Sequence, residues 1–261
     1  MSTEQTGFAA RLRAGEPLYG TFVKTPTFHA TEILGSVGYD FVVIDEEHAP
    51  INRESIEAMI LAARARGVAA LVRVGEPTDF NLMAQLDAGA AGVFIPHVNS
   101  VEKAERVAAA CRYKGGRRGF SRTGRAGDYG AVATGQHLAE QDANTLCIPM
   151  IEDPEAIEVI DAIAAVDGIA ALFVGRGDLS VAMGEASQTS PAVQAASEKV
   201  IAAGRKAGKP VLMLATSSED QAALTALGVS AFLTGSDQAF LRRAAAEALA
   251  ACRAVDQKTK S

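Results

Sequence analysis

Eight short, β-branched runs, each followed by an Ala-rich helical segment with no break in composition along 261 residues, predict an α/β fold. The expected architecture is a parallel sheet of eight βα units closed into a (β/α)8 TIM barrel. None of the runs alternates polar with apolar residues, as befits strands buried on both faces. A doubly wound open sheet would satisfy the same pattern without closure.

The strands are read at YGTFV (19–23), FVVI (41–44), ALVRV (70–74), GVFIP (92–96), LCIPMI (146–151), ALFVG (171–175), PVLML (210–214) and AFLTG (231–235). TFHATEILGSVG follows the first. NRESIEAMILAARARG follows the second, capped by Asn52 and closed by Gly67. DFNLMAQLDAGA and then SVEKAERVAAACR, capped by Ser100, follow the third and fourth. DPEAIEVIDAIAAV opens with Asp153 as cap and Pro154 at the first helical position. SPAVQAASEKVIAAGRKAG, SSEDQAALTALG and SDQAFLRRAAAEALAACRA complete the set. Gly67, Gly92, Gly168 and Gly228 precede strands and are expected in left-handed turns. Segment 113–144, rich in Gly and Arg and weakly periodic, breaks the rhythm and reads as a lid over the site, an oligomer contact or a surface excursion. The whole chain, 1–261, reads as one domain, with a barrel core of about 18–240 and a C-terminal helix of about 237–254.

Composition narrows the partners. A net charge of −6 and a pI near 5.3 leave no electrostatic footprint for nucleic acid or an anionic membrane. Three cysteines are too few and too scattered for a disulfide framework or a thiolate zinc site. No run of 18 apolar residues and no N-terminal apolar core of a signal peptide is seen, so a cytoplasmic protein is expected.

In a barrel, chemistry belongs at the carboxyl ends of strands. Asp45, Glu46, Glu47 and His48 follow strand 2, Arg73 closes strand 3, His97 and Asn99 follow strand 4, Glu152 follows strand 5, and Asp178 follows strand 6. Each also has a plain structural reading. His48 alone could be an ordinary structural histidine, and Arg73 could answer a neighbouring carboxylate. Glu152 could be a first-turn acid, and Asp178 could cap a helix beginning at Leu179. Two carboxylates from adjacent strands, with no His or Cys beside them, suit a hard cation such as Mg²⁺ or Mn²⁺ better than zinc. Asp45 and His48, three apart, could form an acid–base dyad in which the Asp fixes the imidazole tautomer. Lys24, ending strand 1, keeps a Schiff-base mechanism open. LTGSD could cradle a phosphate or cap a helix, and GRGDLS lacks the third glycine of a dinucleotide loop.

VVIDEEHAP, ALVRV, LDAGAAGVFIPHVNSVEKA, RYKGGRRGFS and MIEDPEAIEVIDAIAAVDGIAALFVGRGDLS, in this order, resemble the HpcH/HpaI aldolase family over roughly residues 18 to 240. The resemblance implies a metal-dependent class II pyruvate aldolase on a TIM barrel, with a C-terminal helix swapped between subunits of a homohexamer built as a trimer of dimers. It implies that Glu152 and Asp178 hold Mg²⁺, Mn²⁺ or Co²⁺ and that Arg73 contacts the keto oxygen. It implies that His48 with Asp45 is the acid/base pair, that Gly177 and Asp178 bind the carboxylate of pyruvate or a related 2-oxoacid, and that Asp87 assists from a neighbouring subunit. The second substrate would be an aldehyde.

The chain departs from the family's commonest pattern at Glu46, at Met150 and at Arg176-Gly177. Arg176 is expected to add a cation at the rim and, with Arg117, Arg118, Arg122 and Arg125, to favour an acidic or hydroxylated aldehyde. The competing functions are an acyl-CoA or citrate-lyase type of carbon–carbon lyase on the same metal centre, a class I aldolase through Lys24, and a non-catalytic oxoacid-binding barrel.

Overall fold

The structure, a computed structural model, describes residues 3–258. Eight parallel strands close in the order β1 to β8: Leu18–Val23, Phe41–Asp45, Ala69–Arg73, Gly92–Ile95, Leu146–Ile151, Leu172–Val174, Val211–Leu214 and Ala231–Ser236. Every neighbouring pair is parallel and β8 pairs with β1, so the sheet is a closed barrel and the open-sheet alternative falls. The first six helices are α1 (Thr3–Arg13), α2 (Phe28–Val37), α3 (Arg53–Ala65), α4 (Asp79–Asp87), α5 (Val101–Ala110) and α6 (Thr134–Asn144). The others are α7 (Pro154–Glu158), α8 (Ile160–Ala165), α9 (Arg176–Ala182), α10 (Pro191–Lys206), α11 (Ser218–Leu227) and α12 (Asp237–Lys258).

The strict period of two sorts each strand into two cores. Phe41, Val43, Ala69, Leu71, Leu146, Ile148 and Met150 fill the barrel interior, while Val42, Ile44, Ala70, Val72 and Ile151 meet the helices. Phe8, Ala9 and Leu12 of α1 join the interior cluster, with the Phe8 and Phe41 rings 5.3 Å apart. This helix precedes the first expected strand and lies outside the eight expected βα units.

Capping follows the expected residues at two helices. Asn52 accepts from Ser55 N, and Ser100 from Lys103 N. Gly67, Gly168 and Gly228 take positive φ as expected, but Gly92 does not. Gly92 lies within β4, where a Cβ would run into the carbonyl oxygen of Leu146 on β5, so close approach explains it. The long segment 113–144 contains α6, whose buried residues are His137 and Gln141. A helix that buries polar side chains carries no apolar stripe, which hid it from periodicity. The single helix expected after Asp153 is two, α7 and α8, broken at Val159 (φ −118°, ψ 17°). The C-terminal helix runs off the barrel, and residues 241–255 are exposed. No helix among the described residues is long and apolar enough to cross a membrane.

Candidate active site

The interior alternation of β2 and β3 continues to their last residues, so Asp45 and Arg73 point into the mouth of the barrel. They are direct partners in the strand register. Arg73 Nε and Nη2 donate to Asp45 Oδ1 and Oδ2 at 2.9 and 2.6 Å, a bidentate fork between fully buried groups. Lys24 Nζ stands 3.3 Å from Asp45 Oδ2, and the His48 backbone N–H donates to Oδ1 at 3.1 Å. Burial by itself would push the Asp45 carboxyl up, but the hydrogen bonds and charge of Arg73, the His48 N–H and the Lys24 charge together hold it below the usual range. The Arg73 guanidinium lies 4.7 Å above the Phe22 ring.

The contact expected between Asp45 and the imidazole of His48 is not the one the structure makes. Asp45 meets only the backbone of His48, because its two oxygens face inward to Arg73 and Lys24 while the chain turns outward after β2. The imidazole is 53% exposed, and the nearest acid to its Nε2 is Glu47 Oε2 at 3.8 Å. The same Glu47 oxygen is 3.3 Å from Arg73 Nη1. Glu47 thus stands between His48 and Arg73, a place the sequence alone does not give it. Two residues on from Asp45, it is where period-two spacing would have directed attention. Glu46 turns elsewhere, toward Gly75 N and Gln85 Nε2, and burial raises its carboxyl.

Glu152 follows the interior residues Leu146, Ile148 and Met150 at the same spacing of two and is 2% exposed. Its Oε1 accepts from the His97 N–H at 2.8 Å, and its Oε2 is buried with no hydrogen-bond partner. Burial, reinforced by the charge of Asp178 and only partly offset by the His97 N–H, pushes the carboxyl up to about 7. His97 holds its N–H there from a left-handed backbone (φ 54°), an uncommon conformation for a residue with a side chain. Gly175 closes the other side: a Cβ at that position would meet Glu152 Oε2 at 2.5 Å and Glu152 Cβ at 2.7 Å. Asp178 sits exposed in the first turn of α9 and makes no side-chain hydrogen bond among the described residues. The helix begins at Arg176, so Asp178 does not serve as its cap. Gly177 beside it is exposed and faces open space.

Asp153, expected to cap α7, makes no cap bond. Its oxygens lie 3.1 and 3.3 Å from His97 Nδ1. Burial would lower the His97 imidazole, but Asp153, Glu152 and Glu47 outweigh it and the net shift is upward. No group of three or more His, Cys, Asp or Glu among the described residues is placed to hold a metal ion. The Glu152–Asp178 pair fits the other pattern, in which Mg²⁺ or Mn²⁺ takes one or two carboxylates and completes its shell with water and substrate oxygens. A buried carboxylate oxygen without a donor is the local sign of that fit.

The five arginines do not form the expected cationic rim. Arg176 is buried and forked onto Asp220, with Nη2–Oδ2 2.5 Å and Nη1–Oδ1 3.0 Å, and Nη2 also donates to Leu214 O at 2.6 Å. The hydrogen bonds of Arg176, against some burial and with help from Thr216, lower Asp220 to about 2. Arg118 pairs with Asp87 at 2.8 Å and stacks on Tyr113, Arg125 pairs with Glu57, Arg117 lies 3.5 Å from Asp79, and Arg122 donates to the carbonyls of Gly130 and Val132. Each guanidinium is already engaged within the chain. Asp87, whose partner is Arg118, makes no hydrogen bond to the other candidate residues. In LTGSD, Asp237 accepts from Lys24 N and Thr25 N, so a carboxylate already fills the place considered for a phosphate.

A closed barrel whose acids, histidine and arginine gather at the carboxyl ends of β2, β3, β5 and β6 defines a (β/α)8-barrel enzyme. Residues 18–244 match the family described as HpcH/HpaI aldolase/citrate lyase, and the chain belongs to that family. It is 34% identical over 212 residues to the hydroxypyruvate/pyruvate aldolase of Roseobacter denitrificans, which covers 80% of this chain and 82% of that protein. It is also 34% identical to a pyruvate aldolase of Rhizobium etli, across 94% of this chain and 96% of the other. A solved HpcH/HpaI aldolase/citrate lyase family protein from Burkholderia cenocepacia superposes with a TM-score of 0.89 at 28% identity, covering 95% of this chain and 99% of that one.

Proposed function

We propose that the protein is a divalent-metal-dependent aldolase that joins the enolate of pyruvate, or of a related 2-oxoacid such as hydroxypyruvate, to an aldehyde, and cleaves the resulting 4-hydroxy-2-oxoacid. The observation that carries this reading is the Glu152–Asp178 pair, with one buried oxygen lacking a donor and a carboxyl raised by burial. These two residues would hold Mg²⁺, Mn²⁺ or Co²⁺, and the cation, when bound, supplies a Lewis acid for a 2-oxo oxygen. The names of the two aldolase relatives support the same substrate class.

The chain's own residues divide the remaining work. Arg73, locked by Asp45 and stacked on Phe22, keeps its positive charge at the barrel mouth, where an enolate oxygen develops charge. Asp45 serves the base only indirectly, by fixing Arg73 and the backbone of His48. In cleavage His48 Nε2, exposed at the rim beside Glu47, takes the proton from the 4-hydroxyl. The C3–C4 bond then breaks, the aldehyde leaves, and the enolate is protonated at C3 to give pyruvate. Gly177, open to solvent and lacking a side chain, leaves room for the substrate carboxylate near Asp178.

Lys24 as a Schiff-base nucleophile is disfavoured. Its Nζ stands 3.3 Å from Asp45 Oδ2, the oxygen that also accepts from Arg73 Nη2, so its place in the structure is that of an ion-pair partner of Asp45. In the assembly we expect a homohexamer built as a trimer of dimers. The exposed length of α12 and the uncovered apolar residues Ile33, Val37 and Leu227 support helix exchange between subunits, with Asp87 near an interface. Three free thiols, two of them buried, suit the reducing cytoplasm.

The test is an aldehyde panel with pyruvate and with hydroxypyruvate, with EDTA and after Mn²⁺ is restored. Aldol product that disappears with EDTA and returns with Mn²⁺ is expected. Product formation indifferent to EDTA, with borohydride trapping of pyruvate on Lys24, would overturn the reading.

A further inference from the structure

The Asp178 carboxylate has no side-chain hydrogen bond of its own among the described residues, so its position depends on the turn that carries it. That turn is Gly175-Arg176-Gly177-Asp178. Glycines on both sides of Arg176 give the backbone little intrinsic preference, and the seven-residue α9 is too short to be rigid by itself. On one side the turn is fixed where Gly175 packs against the Glu152 side chain and its N–H donates to Ile151 O at 3.1 Å. On the other, the Arg176 guanidinium reaches across to the next βα turn. There it grips Leu214 O at the end of β7 and both oxygens of Asp220 in α11. Asp220 Oδ2 is itself held by Thr216 N and Thr216 Oγ1, both at 2.9 Å.

An ion pair of this kind is a poor source of net stability. Two charges leave water, and Arg176 Nε remains buried without a partner. Its effect is geometric: it ties the loops after β6 and β7 together two residues before Asp178.

We propose that the Arg176–Asp220–Thr216 network is a positioning clamp that holds the Asp178 carboxylate at the spacing from Glu152 a divalent cation requires. Arg176 is therefore a positioning residue rather than a reader of the acceptor aldehyde. This inference rests on Glu152 and Asp178 being the cation's ligands.

The experiment is Mn²⁺ titration of the metal-free, full-length protein by calorimetry, with thermal unfolding of the same samples. Asp220→Asn leaves a buried guanidinium without a counter-charge and is expected to weaken Mn²⁺ binding roughly 10–100-fold, the usual scale for residues that orient metal ligands. Because that variant can also lose stability, the paired replacement Arg176→Met with Asp220→Leu removes both charges together. It is expected to keep the wild-type unfolding midpoint within a few degrees while still losing roughly tenfold or more in Mn²⁺ affinity. A paired variant that binds Mn²⁺ as tightly as wild type overturns the clamp. Glu152→Gln separates the two ideas. If it too binds Mn²⁺ normally, the metal centre itself is misassigned. If it loses Mn²⁺ while the paired variant does not, only the clamp falls.

Discussion

Asp45 and Glu152 are both carboxylates at the carboxyl end of an interior-facing strand register, both nearly fully buried, and they titrate in opposite directions. Around Asp45 lie a forked guanidinium, an ammonium and a backbone N–H; around Glu152 lie one N–H, the half-exposed His97 imidazole at 3.7 Å and a second carboxylate. Burial penalises both anions alike, so the donors decide the sign. One acid has been made part of a rigid frame, whereas the other is left short of positive charge, the condition a cation would satisfy. The difference supports a division in which Asp45 holds Arg73 and, under the proposed function, Glu152 holds the cation, although the sequence presents them as equivalent acids after apolar runs.

The largest test of the comparison removes the guanidinium. Arg73→Ala leaves the buried Asp45 with only the part-exposed Lys24 ammonium and the His48 N–H, and should cost up to about 3–5 kcal/mol in urea unfolding. The variant should also lose about 10²- to 10³-fold in kcat/KM, on the scale of deleting one electrostatic stabiliser. A loss below about 1 kcal/mol would mean that Asp45 is not held as described.

Next is the pH dependence of the metal-free protein. Glu152 titrates near 7 in the folded state against an ordinary value of 4.5, so between these the folded state binds the extra proton. Stability should therefore fall as pH rises from about 4.5 to 7, by on the order of 3 kcal/mol in total. Glu152→Gln should abolish that slope, and so should saturating Mn²⁺. Asp45 acts oppositely and lower: its contribution is present above the ordinary 3.8 and is lost as pH falls through its depressed folded value. Urea midpoints across pH 2 to 8 distinguish the two; a wild-type profile that is flat between pH 4.5 and 7 contradicts the raised Glu152.

A smaller effect is expected from Gly175→Ala. The new methyl would press on Glu152 Oε2, which can swing away, and on its Cβ, which cannot. Such overpacking should cost about 1–3 kcal/mol and displace the carboxylate, which Mn²⁺ titration would register as weaker binding. Unchanged stability and affinity would show that the close approach has no consequence.

The barrel was legible because buried parallel strands and Ala-rich helices leave a repeating signature, and the rim acids were legible because strand ends can be counted. Glu152 could be taken further, since it follows β5 at the spacing of two that puts Leu146, Ile148 and Met150 on one face. What stayed hidden is pairing across turns. Nothing in GRGDLS shows that Arg176 folds inward onto Asp220, 44 residues on, instead of standing at the rim. Nor does a spacing of three between Asp45 and His48 reveal that the acid meets the backbone while Glu47 faces the ring. α6 was invisible for a related reason: its buried face is His137 and Gln141, the latter bonded to Arg118, and hydropathy does not record such faces.

The smallest expected effect concerns Lys24. It contributes one of three kinds of donor around Asp45, at 3.3 Å and with its side chain 27% exposed, so water screens part of its charge. Lys24→Met keeps the length of the stem and removes only the ammonium. Asp45 would still have the Arg73 fork and the His48 N–H, so the cost should be about 1 kcal/mol or less. The aldol reaction should persist within about tenfold of wild type, because under the metal-dependent reading no bond to Nζ is formed; tenfold corresponds to about 1.4 kcal/mol of barrier. Complete loss of turnover, with the fold intact by circular dichroism, would put the nucleophile at Lys24. Asp45 would then hold an amine for attack, and its contrast with Glu152 would be between two catalytic acids rather than between a frame and a ligand.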